Sequence, residues 1–92
     1  MSVLRRSVTI VNKRGLHARA SAKFVGAVSA LPNGTQVRVA KGGNEAEGGS
    51  ILGLMMLGAA MGDDIELIVE GTEAENVLDE LVTLVATGFG EE

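Results

Sequence analysis

Four stretches of the chain carry the β-branched residues or the alternation of hydrophobic and polar positions that is typical of strands. β-Branched residues dominate the first stretch, and alternation with period two is clearest in the second and fourth. The third is short, and it is predicted because the turn before it can fold the chain back as a hairpin. The predicted strands cover residues 2–11, 35–40, 45–47 and 65–70.

Two other stretches place apolar residues three and four positions apart, as on the buried face of a helix. The first, residues 16–31, is rich in alanine and ends before Pro32. The second, residues 51–57, is a short helix that Ser50 can cap at its start and Gly58 can close at its end.

A third helix is the most regular predicted element. Thr72 and Glu75 have the spacing of a capping box. Six apolar residues then form one continuous face: Ala74, Val77, Leu78, Leu81, Val82 and Val85. The order β-α-β-β-α-β-α predicts an α+β open-faced β-sandwich, in which a four-stranded, mainly antiparallel sheet carries three helices on one face. Because the sequence contains no repeat, linker or low-complexity tract, we expect residues 1–92 to form a single domain.

Composition narrows the classes of function. The 92 residues include one histidine and no cysteine, which excludes a disulfide framework, a thiol nucleophile and a metal site built from cysteines or clustered histidines. No apolar run approaches the roughly 20 residues of a membrane span, and the first residues lead into a strand pattern instead of a signal-peptide core. We therefore expect an unprocessed cytoplasmic protein without membrane insertion, metal or cofactor.

The charges are unevenly distributed along the chain. The net charge of −4 argues against nucleic acid as the main partner, because phosphate backbones are bound by clustered Lys and Arg. All eight basic residues nevertheless lie between Arg5 and Lys41, and all twelve acidic residues lie between Glu45 and Glu92. This segregation hints at a local electropositive site in the first half of the chain.

His17 lies at or beside the start of the first predicted helix. A lone histidine is commonly structural or simply exposed, and that interpretation stays open on composition alone. A helix N-terminus, however, presents unsatisfied N–H groups and the positive end of the helix dipole, so it can bind a phosphate group. These groups and the cations nearby in sequence favour the neutral, nucleophilic imidazole, and would stabilise a phosphoryl group bound to it. The nearby cations are Lys13, Arg14, Arg19 and Lys23.

Two segments carry a resemblance to a known family. Residues 15–24 read GLHARASAKF, which resembles the active-site signature of HPr, the histidine phosphocarrier family of the bacterial phosphoenolpyruvate-dependent phosphotransferase system. The family's second landmark, a serine that opens a short helix, has its counterpart in residues 50–58, which read SILGLMMLG. The resemblance extends from about Val3 to Phe89 and includes the order of elements. Ala20 departs from the proline of many members, but alanine is also compatible with a helix.

The resemblance implies a role for each matching residue. His17 would accept a phosphoryl group on a ring nitrogen from phosphorylated Enzyme I and pass it to an EIIA domain or a regulatory equivalent. Arg19 would hold the phosphoryl group, and the backbone N–H groups of Ala18 and Arg19 would bind it. Lys23 would extend the basic rim toward acidic partner surfaces, although a solvated helix charge is an equally good interpretation.

Ser50 has two interpretations. It can simply be a helix N-cap, worth about 1 kcal/mol. The resemblance adds regulatory phosphorylation by a bifunctional HPr kinase/phosphorylase, because phosphate is well placed at a helix N-terminus. Gly48 and Gly49 stand where many regulated relatives have a bulkier, often basic pair, which weakens this second interpretation.

The short second helix also predicts an apolar patch. We assign Leu54 and Leu57 to the core, which leaves Ile51, Leu52 and Met55 to form an exposed surface. The resemblance makes this surface the hydrophobic half of a docking face beside His17. Burial of these residues in the core is the alternative.

Two other classes of function stay open beside the carrier. A regulatory or RNA-binding module would usually show aromatic side chains on its strands, but this chain has two phenylalanines and neither lies on a predicted strand. A small enzyme with His17 as general base lacks an acid nearby in sequence and any cofactor motif. We therefore favour a carrier, expected to be a monomer because it must present one face to successive partners. The sequence leaves open the sugar-transport and the nitrogen-regulatory branch.

Overall fold

The structure is a computed structural model that describes residues 2–91, with only the backbone of Ser2. The ends of the predicted single domain, Met1 and Glu92, lie outside these described residues. The elements follow the predicted order, with one addition at the end. They are β1 (Ser2–Thr9), α1 (Ala18–Ser29), β2 (Gln36–Lys41), β3 (Asn44–Glu47), α2 (Ile51–Met56), β4 (Asp64–Gly71), α3 (Ala74–Ala86) and a 3-10 turn (Gly88–Gly90).

The four strands form one sheet in the order β1-β4-β2-β3, in which every neighbouring pair is antiparallel. The helices cover one face of this sheet, as the open-faced sandwich prediction requires. On β4, the side chains of Ile65, Leu67 and Val69 point to the helices and are buried in the core, as their alternation predicts. The core therefore lies between a continuous sheet and the three helices.

Ile68 is buried on the opposite, open face of the sheet, which the alternation of β4 does not predict. It pairs across the sheet with Arg5 on β1 and Arg38 on β2, and only 1% of it is exposed. Each arginine forms an ion pair with a carboxylate, that of Glu66 or of Glu45. The aliphatic parts of the two arginines therefore cover Ile68 while their charged ends reach solvent.

Several predicted boundaries differ from the structure by one or two residues, and two of these differences affect the loop before His17. β1 ends at Thr9 instead of residue 11, because the backbone of Ile10 bonds to the turn at Gly62 and Asp63. α1 begins at Ala18 instead of residue 16, because His17 has extended backbone angles (φ −72°, ψ 179°). His17 is therefore the N-cap of α1 and not part of its first turn.

The predicted capping box of α3 is wrong. β4 continues to Gly71, Thr72 lies in the following turn, and the N-cap of α3 is Glu73, which makes no capping hydrogen bond with its side chain. Instead, the Glu73 side chain accepts a hydrogen bond from Asn76 Nδ2 at 3.0 Å. The apolar face that predicted this helix is confirmed, since its members are buried except for the half-buried Val82. Burial of that face sets the start of the helix, and the local capping pattern does not.

Among the helices of residues 2–91, none is long and apolar enough to cross a membrane.

Candidate functional site

The imidazole of His17 caps the N-terminus of α1. Its Nδ1 accepts a hydrogen bond from the backbone N–H of Arg19 at 3.3 Å, and its carbonyl accepts the first helical bond, from Ser21, at 2.9 Å. The side chain is 13% exposed. The ring nitrogen Nδ1 therefore lies against the free N–H groups of the first turn, where the helix dipole is positive.

The other ring nitrogen contacts a carboxylate from the end of the chain. His17 Nε2 lies 2.6 Å from Oε2 of Glu91, whose side chain is 19% exposed. Because Nδ1 accepts a hydrogen bond and carries no proton, the proton of the neutral ring is assigned to Nε2, which donates it to Glu91. The free lone pair is then on Nδ1.

Glu91 is ionised at neutral pH. Desolvation opposes its charge, but hydrogen bonds from His17 and Asn12, together with electrostatic attraction to His17 and Lys23, outweigh desolvation and hold the pKa of Glu91 below its usual 4.5. The carboxylate can therefore balance a positive charge that forms on the His17 ring.

Sequence reasoning missed Glu91. It disfavoured a general base at His17 because no acid was near in sequence, whereas the structure brings in a carboxylate from 74 positions away. The available signal was the Gly-Phe-Gly segment after α3, since a large apolar residue between two glycines suggests a turn that folds back onto the core.

That turn is held in two ways. First, the side chain of Phe89 is buried, with 1% exposed. This burial offsets the left-handed backbone of Phe89 (φ 58°), a conformation that costs about 1–2 kcal/mol in a residue with a side chain. Second, the carbonyl of Phe89 accepts a hydrogen bond from Lys23 Nζ at 2.7 Å. Lys23 thus contacts the C-terminal segment in addition to lying on an exposed helix surface, and its contact with a partner stays a prediction.

The loop between β1 and α1, residues 10–17, which we call the His17 loop, packs closely on the segment that follows α2. Gly15 has φ +60°, and a Cβ atom at this position would lie 2.2 Å from the carbonyl oxygen of Ala59. The next residue, Leu16, donates its N–H to the same oxygen at 3.0 Å. Only glycine fits here, and the contact joins the His17 loop to the C-terminal side of α2.

An open cleft of about 240 Å³ lies beside the imidazole, lined by Arg14, His17, Arg19 and Glu91. Within the described part of the chain, neither Arg14 nor Arg19 forms a salt bridge. Their guanidinium groups are available to an anion, which they can bind with two parallel hydrogen bonds. No group of three or more metal-ligating side chains is found among residues 2–91.

The predicted features of α2 lie on a helix that packs against α1. Ser50 is its N-cap, with Oγ accepting a hydrogen bond from the N–H of Gly53 at 3.0 Å. Leu54 and Leu57 are buried, as predicted. The exposed apolar residues of this helix, which we call the α2 patch, are Ile51, Leu52 and Met55, as predicted, and also Met56, which is 77% exposed and was not predicted.

Fold and site together define a small α+β domain whose single histidine lies at a helix N-terminus. Residues 4–87 match the family described as PTS HPr component phosphorylation site. A phosphocarrier protein HPr from Cupriavidus necator is 39% identical over 89 residues, which cover 97% of this chain and 98% of the relative. A phosphocarrier protein NPr from Shewanella violacea is 41% identical over 91 residues, which cover 99% of this chain and 98% of the relative.

A solved structure, HPr-C-His from Thermoanaerobacter tengcongensis, superposes with a TM-score of 0.88 at 37% identity, over 97% of this chain and 98% of the other. The chain therefore belongs to the HPr family, and it is a phosphocarrier of the HPr and NPr type in the phosphotransferase system.

Proposed function

We propose that Nδ1 of His17 accepts a phosphoryl group from phospho-Enzyme I and passes it to an EIIA domain or a regulatory equivalent. The observation that carries this proposal is that the two ring nitrogens of His17 have different hydrogen-bond partners. Nε2 contacts Glu91 at 2.6 Å, whereas Nδ1, within residues 2–91, accepts only the long hydrogen bond from Arg19. The free electron pair of the ring thus lies where a phosphoryl group would meet the helix N-terminus.

The transfer balances without moving a proton. The Nδ1 lone pair of His17 forms the new P–N bond, while the bond between phosphorus and the donor nitrogen of Enzyme I breaks and its electron pair returns to the donor. The proton on Nε2 stays in place, and the positive charge that the ring gains is balanced by Glu91. In the transfer to the next acceptor, a nucleophile of the acceptor forms the new bond to phosphorus, while the bond between phosphorus and Nδ1 of His17 breaks and its electron pair returns to Nδ1.

Two backbone N–H groups and two guanidinium groups are available to the phosphoryl oxygens. When phosphorus bonds to Nδ1, the N–H of Arg19 is released from the ring and can bind a phosphoryl oxygen, together with the N–H of Ala18. The Arg19 and Arg14 side chains line the same cleft and add charge-assisted hydrogen bonds. Arg14 is an addition to the residues that the sequence predicts for this role.

The carrier acts between proteins and is not an independent catalyst. The cleft at His17 is open and small, so a partner protein has to cover it and supply the second reacting group. The α2 patch is the proposed apolar half of the docking face; the segment after this helix contacts the His17 loop at Ala59. Lys23 is a proposed basic contact at the rim of the docking face. We expect a cytoplasmic monomer. The sugar-transport and the nitrogen-regulatory branch of the phosphotransferase system both fit this function.

One observation favours a second candidate. The carboxylate of Glu91 orients His17 as the acid of a catalytic dyad orients a general base. Such an activity would be additional to the carrier function: it would turn over a small substrate at this cleft and would need no phosphate on His17. The experiment below distinguishes the two functions.

The regulatory role proposed for Ser50 has its own support. Its half-buried hydroxyl lies at the N-terminus of α2, next to the α2 patch, where a phosphate would be stabilised by the helix dipole and would place negative charge beside the docking face. An HPr kinase/phosphorylase is the proposed partner for this step.

The test is the intact mass of the protein after incubation with phosphoenolpyruvate, magnesium and a bacterial Enzyme I. We expect one acid-labile phosphoryl group on the wild type and on Ser50→Ala, and none on His17→Ala. If Enzyme I is active on another carrier and leaves all three proteins unmodified, the phosphocarrier proposal fails for His17. Incubation with HPr kinase and ATP should add an acid-stable phosphate to the wild type and to His17→Ala but not to Ser50→Ala.

A further inference from the structure

A buried asparagine connects the His17 loop to the side-chain carboxylate of Glu91. Asn12 is 7% exposed, and its Nδ2 donates one hydrogen bond to the carbonyl of Gly15 at 2.9 Å and a second to Oε1 of Glu91 at 3.1 Å. Both partners are acceptors, so the NH₂ group and not the amide oxygen must face them. Both amide hydrogens of Asn12 are thereby used at the site.

We propose that Asn12 is a positioning residue for phosphoryl transfer, which holds the Glu91 carboxylate against Nε2 of His17 and so keeps Nδ1 as the nucleophile. This inference rests on the proposed function of His17. Asn12 itself touches neither the ring nor the cleft beside it, so it acts through Glu91.

The other contacts of the C-terminal segment cannot perform this task. Burial of Phe89 and the bond from Lys23 to its carbonyl fix the backbone two residues before Glu91, but neither contacts the carboxylate. The carboxylate has two oxygens, and Asn12 binds one while His17 binds the other. Without Asn12, the hydrogen bond to Oε1 that opposes rotation of the Glu91 carboxylate toward the arginines of the cleft is lost, and the contact with His17 alone holds the carboxylate.

The buried position of Asn12 has a cost in stability. Its Oδ1 is buried and has no hydrogen-bond partner among the described protein groups, and an unsatisfied acceptor of this kind destabilises the fold. An apolar residue at this place would avoid that cost. Asn12 thus leaves its acceptor Oδ1 unpaired in the core, while its NH₂ group donates both hydrogen bonds, one to the His17 loop and one to Glu91.

A double-mutant cycle tests the proposal, because residues that act in sequence have non-additive effects. The initial rate of phosphorylation by phospho-Enzyme I is measured for wild type, Asn12→Ala, Glu91→Ala and the double variant, over a range of carrier concentrations. We expect Asn12→Ala to lower kcat by on the order of tenfold, the lower end of the effect seen when hydrogen-bond partners that orient metal-bound imidazoles are removed, with KM little changed. In the Glu91→Ala background, Asn12→Ala should have almost no further effect.

A spectroscopic measurement keeps the test independent of the partner. The ¹⁵N shifts of the His17 ring report which nitrogen carries the proton in the neutral protein. We expect Nε2–H alone in the wild type and a mixture of tautomers in Asn12→Ala and in Glu91→Ala. Asn12→Asp, which places an anion against Glu91 in the same shape, should give the same mixture, and Asn44→Asp, at an exposed position with the same charge change, should not.

Each outcome decides one proposal. If Asn12→Ala lowers the rate equally with and without Glu91, or if its ring tautomer is that of the wild type, Asn12 is only a structural residue of the loop. If neither the wild type nor Asn44→Asp is phosphorylated, the proposed carrier function fails, and the ring tautomers of the Asn12 variants still decide whether Asn12 positions Glu91.

Discussion

Substitution of Gly15 by alanine tests how the site loop is built. Two separate costs arise at this position. A left-handed backbone such as φ +60° costs a residue with a Cβ about 1–2 kcal/mol. The new Cβ would also lie 2.2 Å from the Ala59 carbonyl oxygen, and relief of such a contact by movement of packed backbone typically costs about 1–3 kcal/mol more.

Gly34 provides a matched control for the first cost. It also has a left-handed backbone (φ +89°), but no atom lies within 4 Å of where its Cβ would be. The difference between Gly15→Ala and Gly34→Ala therefore isolates the close approach to Ala59. At about 4–8 °C per kcal/mol for a domain of this size, Gly15→Ala should melt about 4–24 °C below Gly34→Ala.

Thermal unfolding followed by circular dichroism measures this difference, and the phosphorylation rate measures its consequence at the site. Because Gly15 lies two residues before His17, we expect the rate to fall for Gly15→Ala, by on the order of a hundredfold for a displacement of about 1 Å, and to stay normal for Gly34→Ala. If both variants melt together and both accept phosphate normally, the close packing of the loop on Ala59 is not what holds His17 in place.

Three further predictions concern Glu91, the cap and the α2 patch. Because the pKa of Glu91 is lowered by folding, its ionisation adds stability that is complete above the usual value of 4.5 and is lost as the pH falls through the folded pKa. Between pH 7 and about pH 3, urea unfolding should therefore show a smaller loss of unfolding free energy for Glu91→Gln than for the wild type. Equal losses would contradict the contact with His17. Ser50→Ala removes the N-cap bond and should cost about 1 kcal/mol in unfolding free energy, whereas Ser50→Asp, which can still cap, should restore most of it; a stable alanine variant would show that the cap is dispensable. Leu52 is 68% exposed, so Leu52→Asp should leave the melting temperature within a few degrees of the wild type while raising KM for phospho-Enzyme I, and an unchanged KM would remove Leu52 from the docking face.

The sequence predicts the elements of this fold because their signals are local. Alternation on β4 and apolar spacing on α3 describe which side of each element is buried, and both are confirmed by the structure. The start of α3 is predicted wrongly, since Thr72 and Glu75 have the pattern of a cap while burial of Ala74 and Val77 decides the phase of the helix. Local preferences worth about 1 kcal/mol give way to burial of a whole helix face.

The site is only partly predictable, for a different reason. The position of His17 at a helix N-terminus follows from its own neighbourhood in the sequence. Its contact with Glu91 depends on where α3 ends relative to α1, on the burial of Phe89 and on the side chain of Asn12, and none of these is a local property. Long-range polar contacts of this kind have no periodic signal in a single sequence.

The proposed mechanism depends most directly on which atom carries the phosphoryl group. Protein labelled with ¹⁵N in its single histidine, phosphorylated by Enzyme I and observed by ³¹P and ¹⁵N NMR, identifies the nitrogen bonded to phosphorus. We predict phosphorus coupled to Nδ1 of His17, with the proton still on Nε2 beside Glu91. Phosphorus coupled to Nε2, or found on another residue, would contradict the assignment of Nδ1 as the nucleophile.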